Sequence, residues 1–327
     1  MAKPLCALVL ALVLGLLASA NGVRAYSTTS HERLTAHAVE LHERCRALAG
    51  AAPRSQPLPA KIVAYYNTRQ DDWLSKSGLW HFPTTAPSEH CPGPFPVCQL
   101  VIERSYERWT DDIWRRVAEA LPAGQLYPAL GAALHYVQDL AVPAHAVPVF
   151  HPRSWLDPSD GFDDYAQWDG ADSRPSEQAL GGECARLSAL AQVGSLAALL
   201  ARMRDETQQS LSEPFSVSRA GSPVTLSFAL LWRARGAGFG VYGCEGEFGD
   251  EQLRCDGVRY QVAAATYQAF AGRRARSAIL YSAATIALFE QKLAPCRGQS
   301  CTPTEHETAW LPTRCRIGEL SRASQKK

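Results

Sequence analysis

The stretch LYPALGAALHYVQDLAV, Leu126 to Val142, decides the fold. It is apolar on nearly every face, which predicts a central helix buried all round rather than an amphipathic surface helix. Pro143 ends it. Two ionisable residues are set into this run, His135 and Asp139. They stand one turn apart, so imidazole and carboxylate project from the same face. Beyond Pro143 the chain can turn His145 back toward that face. An ionised Asp139 in so apolar a helix is costly unless a cation compensates it. Two imidazole nitrogens and a carboxylate oxygen converging in a dry site suit zinc. The competing reading is a hydrogen-bonded core pair that holds no metal.

Working outward, the pattern stays helical. His31 to Ala51 places Leu34, Ala38, Val39, Leu41 and Leu48 at helical spacing, with Ser30 as the expected N-cap. Leu100 to Leu121 is amphipathic. Cys184 to Ser210 predicts one Ala/Leu-rich helix, and Val262 to Leu293 a long helix or a helix pair. Phe82 to Val97 is Pro-rich, and Phe150 to Pro175 is rich in Asp, Pro and Trp. Gly236 to Arg259 is Gly-rich and predicts a small disulfide-pinned hairpin. No internal repeat or domain linker is evident. The expectation is a mainly α, single multi-helix domain over 26–327, with a small β excursion near 236–259.

The bulk composition is that of a globular chain. Of 327 residues, 46% are hydrophobic and 20% charged, enough to bury one substantial core. The formal charge of +1 gives no global field that would draw in nucleic acid or anionic lipid. Lys3 followed by the apolar run Ala7 to Ala18 reads as an export signal, too short for a membrane span. Cleavage fits after Ala20 or after Ala25, and residues 1–25 are taken as the signal peptide. The expected location is secreted or periplasmic. Of the ten cysteines, Cys6 lies in that segment. Among the rest, Cys91/Cys98, Cys244/Cys255 and Cys296/Cys301 are near neighbours suited to short disulfide loops, and no C-x2-C zinc pair occurs.

The motif His135-Tyr136-x-x-Asp139-x-x-x-Pro143-x-His145 resembles the signature of the zinc-dependent phospholipase C family, whose fold is shared with the single-strand-specific fungal nucleases. The resemblance implies two or three zinc ions. His135 and Asp139 would bind one, Asp139 would bridge to a second, and His145 would bind another. It also implies a mature N-terminus acting as a ligand through its backbone amine and carbonyl. Cleavage after Ala25 makes that residue Tyr26, where the family usually has Trp. His31 follows as the next ligand, and His31-Glu32-Arg33-Leu34-Thr35 resembles the family's first helix. Asp71-Asp72-Trp73 and His81-Phe82-Pro83 resemble the segments that supply a further Asp and His. Asp72 and His81 are assigned, with Asp71 as the near alternative. Phe162-Asp163-Asp164-Tyr165 resembles half of the last ligand pattern, with Asp163 as the acid. Ser159 stands where the family has His, and His151 or Asp160 is open to fill that role. Arg273 to Leu293 resembles the closing helix of bacterial relatives.

The resemblance implies a phosphodiester hydrolase acting through a metal-activated water, with Asp139 and Asp72 as catalytic carboxylates. The expected substrate is a phospholipid cleaved at its head group, with peripheral membrane contact and no obligate protein partner. The alternative is a nuclease or nucleotidase on single-stranded nucleic acid, using Trp73, Trp80, Tyr136, Trp155 or Trp168 as stacking platforms. A second alternative is a zinc-stabilised secreted protein without turnover, which the Ser159 departure would favour.

Overall fold

The computed structural model describes residues 27–51, 58–71, 83, 110–111, 113–114, 126–149, 151, 160–163, 165, 176–236 and 239–293. Helix α1 (Thr28–Leu48) starts at Ser27, whose hydroxyl accepts from the Ser30 N–H. The cap therefore falls before the expected Ser30, which lies in the first turn. The inward face of α1 carries His31, Leu34, Thr35, Ala38, Leu41, His42 and Cys45 at helical spacing. Helix α2 (Ala60–Thr68) crosses α3 (Leu126–Asp139) at Gly131. A Cβ there would stand 2.6 Å from Tyr66 Cβ and 2.8 Å from the Asn67 nitrogen, so only glycine admits the approach. As its composition requires, α3 is buried without interruption from Ala129 to Asp139.

Pro143 occupies the first turn of the short helix α4 (Pro143–Ala146), where its missing N–H costs nothing. The single helix expected from Cys184 to Ser210 is two: α5 (Glu177–Ala191) and α6 (Leu196–Leu211). Gly194, at φ +80°, breaks the run, and the Ser195 hydroxyl caps the second helix. After the strands, α7 (Ala264–Leu293) is one continuous helix of 30 residues that packs on α1, α3, α5 and α6. Among the described residues no helix is long and apolar enough to cross a membrane.

The mainly α expectation with a β excursion near 236–259 needs correction. Strands begin at Pro214 and continue to Gln261, giving seven strands in two antiparallel sheets beside seven α-helices among the described residues. They are β1 (Pro214–Arg219), β2 (Ser222–Ser227), β3 (Trp232–Arg233), β4 (Val241–Tyr242), β5 (Cys244–Glu245), β6 (Gln252–Cys255) and β7 (Val258–Gln261). The larger sheet has the order β2-β1-β7-β6-β5, and β3 pairs with β4. Two tight turns set its register. Ala220 and Gly221 have φ of 49° and 83°, and Asp256 and Gly257 have φ of 50° and 78°. Two consecutive positive φ values make the hairpin turn whose twist matches that of the strands. Phe215 and Val217 then alternate inward along β1.

Cys45–Cys184 ties α1 to α5, and Cys244–Cys255 links β5 to β6. The second is one of the three expected pairs; the other two lie outside the described residues. An aromatic cluster joins the sheet to α7 and to the turn at 160–165. Phe228 stacks on Phe270 at 3.9 Å, and Phe162 packs between Trp232, Phe248 and Phe270. Such ring pairs add about 0.5–1.5 kcal/mol each beyond burial. They anchor the turn on which Asp163 sits.

Candidate metal centre

Four ionisable side chains meet at the junction of α1, α2 and α3. His31 comes from α1, and His135 and Asp139 from the last turns of α3. Asp71 lies just past α2, where Arg69, Gln70 and Asp71 N–H groups still bond back to Tyr65, Asn67 and Thr68. That continuation puts Asp71 one turn beyond Asn67, on the same face. All four side chains are buried, and the two imidazoles stack at 4.4 Å between centroids. His135 Nε2 lies 3.4 Å from Asp139 Oδ2 and 3.5 Å from Asp71 Oδ1. His31 Nε2 lies 3.6 Å from Asp139 Oδ1 and 4.0 Å from Asp71 Oδ2. Each carboxylate thus turns one oxygen to each histidine.

The far side of each ring is held by an amide. His31 Nδ1 is 2.7 Å from Gln138 Oε1, and His135 Nδ1 is 3.1 Å from Asn67 Oδ1. The remaining bonds fix which amide atom is which. The Asn67 amide N–H2 donates to Thr35 Oγ1 and Gln138 Oε1, while that of Gln138 donates to Thr35 Oγ1 and Ser282 Oγ. Both amide oxygens therefore face histidines, so each Nδ1 is the protonated donor nitrogen. The Nε2 lone pairs point at the carboxylates, the tautomer that a metal ligand requires.

A second group forms further along. His145 on α4, His151 and Asp163 bring their ligand atoms within 4.8 Å of one another, all buried. His151 Nε2 is 3.2 Å from Asp163 Oδ2, and the His145 and His151 rings stand edge to face at 5.0 Å. His151 Nδ1 donates to the Val149 carbonyl at 2.6 Å, again leaving Nε2 for a ligand role. Asp160 has a different task. Its carboxylate accepts from Phe162 N–H, Trp232 Nε1–H and the Tyr242 hydroxyl at 2.8, 2.7 and 2.8 Å. Of the two candidates for the position of the missing histidine, His151 is the one that joins His145 and Asp163.

The link between the two groups, Leu140 to Ala146, is clamped from behind. The Thr207 hydroxyl of α6 donates to Leu140 O at 2.6 Å, and Gln208 Nε2 donates to Ala146 O at 2.7 Å. Arg274 of α7, 2% exposed, reaches Ala141 O and Thr207 Oγ1. It is thus a core residue and not part of a basic patch. Arg273 beside it pairs with Glu213 at 2.6 Å.

Both groups fit a metal ion. Ligands around a tetrahedral zinc at its usual bond lengths lie about 3.3–3.5 Å apart. The His135–carboxylate separations match this, and exceed the roughly 2.7–2.9 Å of a charge-assisted hydrogen bond. The two buried His/Asp groups can therefore hold metal ions. The structure brings His31, His135 and Asp139 together, and likewise His145, His151 and Asp163. From the acidic pair it brings Asp71; Tyr26, Asp72 and His81 lie outside the described residues, as do Ser159, Trp73, Trp80, Trp155 and Trp168. Tyr136 is fully buried and packs in the core, so it offers no base-stacking platform. Sequence reasoning missed Asn67, Gln138 and Thr35. Gln138 carried a signal, as an amide inside an apolar run; Asn67 carried none. No protein-family model, curated protein or solved structure matches the chain.

Proposed function

We propose that this chain is an exported zinc-dependent phosphodiester hydrolase of the phospholipase C type, acting on phospholipid head groups. One observation carries the reading. Histidines and aspartates far apart in sequence converge, fully buried, with ligand-like spacing and with both imidazole tautomers set by amide oxygens. In this reading His31, Asp71, His135 and Asp139 hold one or two ions, and His145, His151 and Asp163 hold another. Bound zinc would act as a Lewis acid on phosphoryl oxygens and bring the pKa of a water toward about 7.

The chain's own residues do the rest. Asp139 turns one oxygen toward each histidine, so its carboxylate would help hold an ion between them. Asp71 does the same and supplies the negative charge that the expectation gave to Asp72. Asn67 and Gln138 accept from each Nδ1–H and so fix the orientation of the histidines with Nε2 toward the carboxylates, so that substrate binding requires no reorganisation of the ligands. The two disulfides agree with export, because such bonds persist in oxidising compartments.

The test is elemental analysis of the purified protein, together with hydrolysis of p-nitrophenylphosphorylcholine, phospholipid vesicles and single-stranded DNA before and after chelation. Two or three zinc ions with chelator-sensitive release of head group is the expected result. Cleavage of DNA alone would move the assignment to a nuclease. Bound zinc with no turnover would make the protein a metal-stabilised relative without activity, and absence of metal would overturn the reading.

A further inference from the structure

Lys61, Ile62, Tyr65 and Arg69 form one exposed stripe along α2 and its C-cap. Around a helix axis these positions fall within an arc of about 100°. Val63, Ala64, Asn67 and Gln70 take the opposite, buried side. Ile62 is 46% and Tyr65 54% exposed, and Leu48, which ends α1 before the connection to α2, is 60% exposed. Three of the four exposed large hydrophobic side chains among the described residues thus lie between positions 48 and 65. We propose that this face of α2 docks on an anionic phospholipid bilayer, with Ile62 and Tyr65 entering the head-group layer.

The order of the stripe argues for lipid. It runs basic, aliphatic, aromatic, basic, and the helix sequence AKIVAYYNT holds no acidic residue. The net charge of +1 draws in no anion as a whole, so attraction has to come from such a local patch. Lys61 and Arg69 can reach phosphates while their stems cover apolar surface. The Arg69 guanidinium lies 5.8 Å from the centre of the Tyr65 ring, and the Tyr66 ring meets Tyr65 edge to face at 5.2 Å. A tyrosine so placed suits the head-group level, with its ring in the apolar layer and its hydroxyl in water. Nucleobases would want rings to stack on, which Ile62 and Leu48 do not offer. A second copy pairing through the same face would set two cations against two cations.

Position ties this face to the first His/Asp group. Asp71 follows Arg69 by two residues, and its N–H donates to Thr68 O at 3.2 Å. One short helix therefore carries the stripe on its outer side and leads on its inner side to Asn67 and Asp71. A bilayer held against the outer side lies alongside the metal centre. That use of docking rests on the hydrolase reading. Docking itself is a property of exposed side chains and is measured apart from turnover.

The experiment is co-sedimentation of the full chain, as purified and again in excess chelator to stop turnover. The vesicles are phosphatidylcholine alone, and phosphatidylcholine with phosphatidylglycerol in equal parts. Saturable binding to the mixed vesicles, about tenfold or more tighter than to phosphatidylcholine alone, is expected. Ile62→Ser and Tyr65→Ser should each weaken it by about fivefold to tenfold, and Lys61→Gln by about fivefold. All three side chains are exposed, and unchanged melting will show that the variants keep the fold. No vesicle binding, or binding that ignores the substitutions, would overturn the assignment. So would a dimer, or retention of single-stranded DNA, that is lost on Ile62→Ser while vesicle binding stays. Vesicle binding without hydrolysis of any substrate would overturn the hydrolase reading and keep the docking face. Hydrolysis of p-nitrophenylphosphorylcholine without vesicle binding would do the reverse.

Discussion

The two His/Asp groups are alike in composition and unlike in support. In the first, each imidazole is backed by an amide side chain. Those amides are cross-bonded through Thr35, so α1, α2, α3 and α7 all contribute to one network. In the second, among the described residues, His151 Nδ1 donates to the main-chain carbonyl of Val149 two residues away, and Asp163 is carried by a turn held by aromatic packing. A network closed on itself resists displacement of any one member, whereas a local contact moves with its loop. The first group should therefore keep its geometry without metal, and the second should gain order from it.

The sharpest way to break the comparison is to remove one histidine from each group. Under the proposed zinc hydrolase reading, His135→Ala is expected to reduce hydrolysis by on the order of 10³ or more, with loss of metal. Under the same reading His151→Ala should lose the metal of the second group and leave that of the first in place. Elemental analysis beside initial rates separates the two outcomes; equal zinc loss in both variants would mean that the groups bind as one unit. Next in size is Gln138→Met, which keeps the volume and removes the acceptor for His31. A second-layer change of this kind costs about 10–100-fold in metal affinity. Competition with a calibrated chelator should find that loss in the first group alone.

Thr207→Val tests the clamp that both groups share. Losing the hydroxyl leaves Leu140 O buried without its donor, at about 1–3 kcal/mol of stability. Urea unfolding should report that loss, Thr207→Ser should recover most of it, and metal affinity should fall in both groups. The smallest effect concerns His42, whose pKa burial lowers to about 4, with Glu43 raising it and Arg46 lowering it by smaller amounts. Its folded pKa lies below the unfolded value, so the unfolded chain binds more protons in the interval between them. Stability is complete above the unfolded pKa of 6.5 and falls as pH drops toward 4. Between pH 7.5 and 5.5 the loss is roughly 1 kcal/mol. His42→Leu should remove this part of the slope in chelated protein, while both metal groups stay intact.

What was legible in the sequence followed from local chemistry. A continuous apolar run with His135 and Asp139 inside it could only be a buried helix carrying a polar site, and Pro143 marked its end. The β1–β2 hairpin was as readable in principle: Phe215 and Val217 alternate, and Ala220-Gly221 stands between the strands. Its turn signal is one Gly, whereas Gly236 to Arg259 is Gly-rich throughout and outweighs it in composition. That Asp71 stands beside the histidines follows from how far helical bonding runs past Thr68, which composition does not encode. Asn67 was hidden for a different reason. Its role exists only because Gly131 lets α2 approach α3, a tertiary fact with no local signature.

The bridge between Cys45 and Cys184 spans 139 residues. During synthesis Cys45 emerges first, and Cys91 and Cys98 follow it well before Cys184. Pairing in order of appearance would capture the wrong thiol, so the native link depends on exchange through mixed disulfides once the later helix arrives. Production of this protein in a foreign host should therefore respond to disulfide isomerase supply more than to the strength of the oxidant.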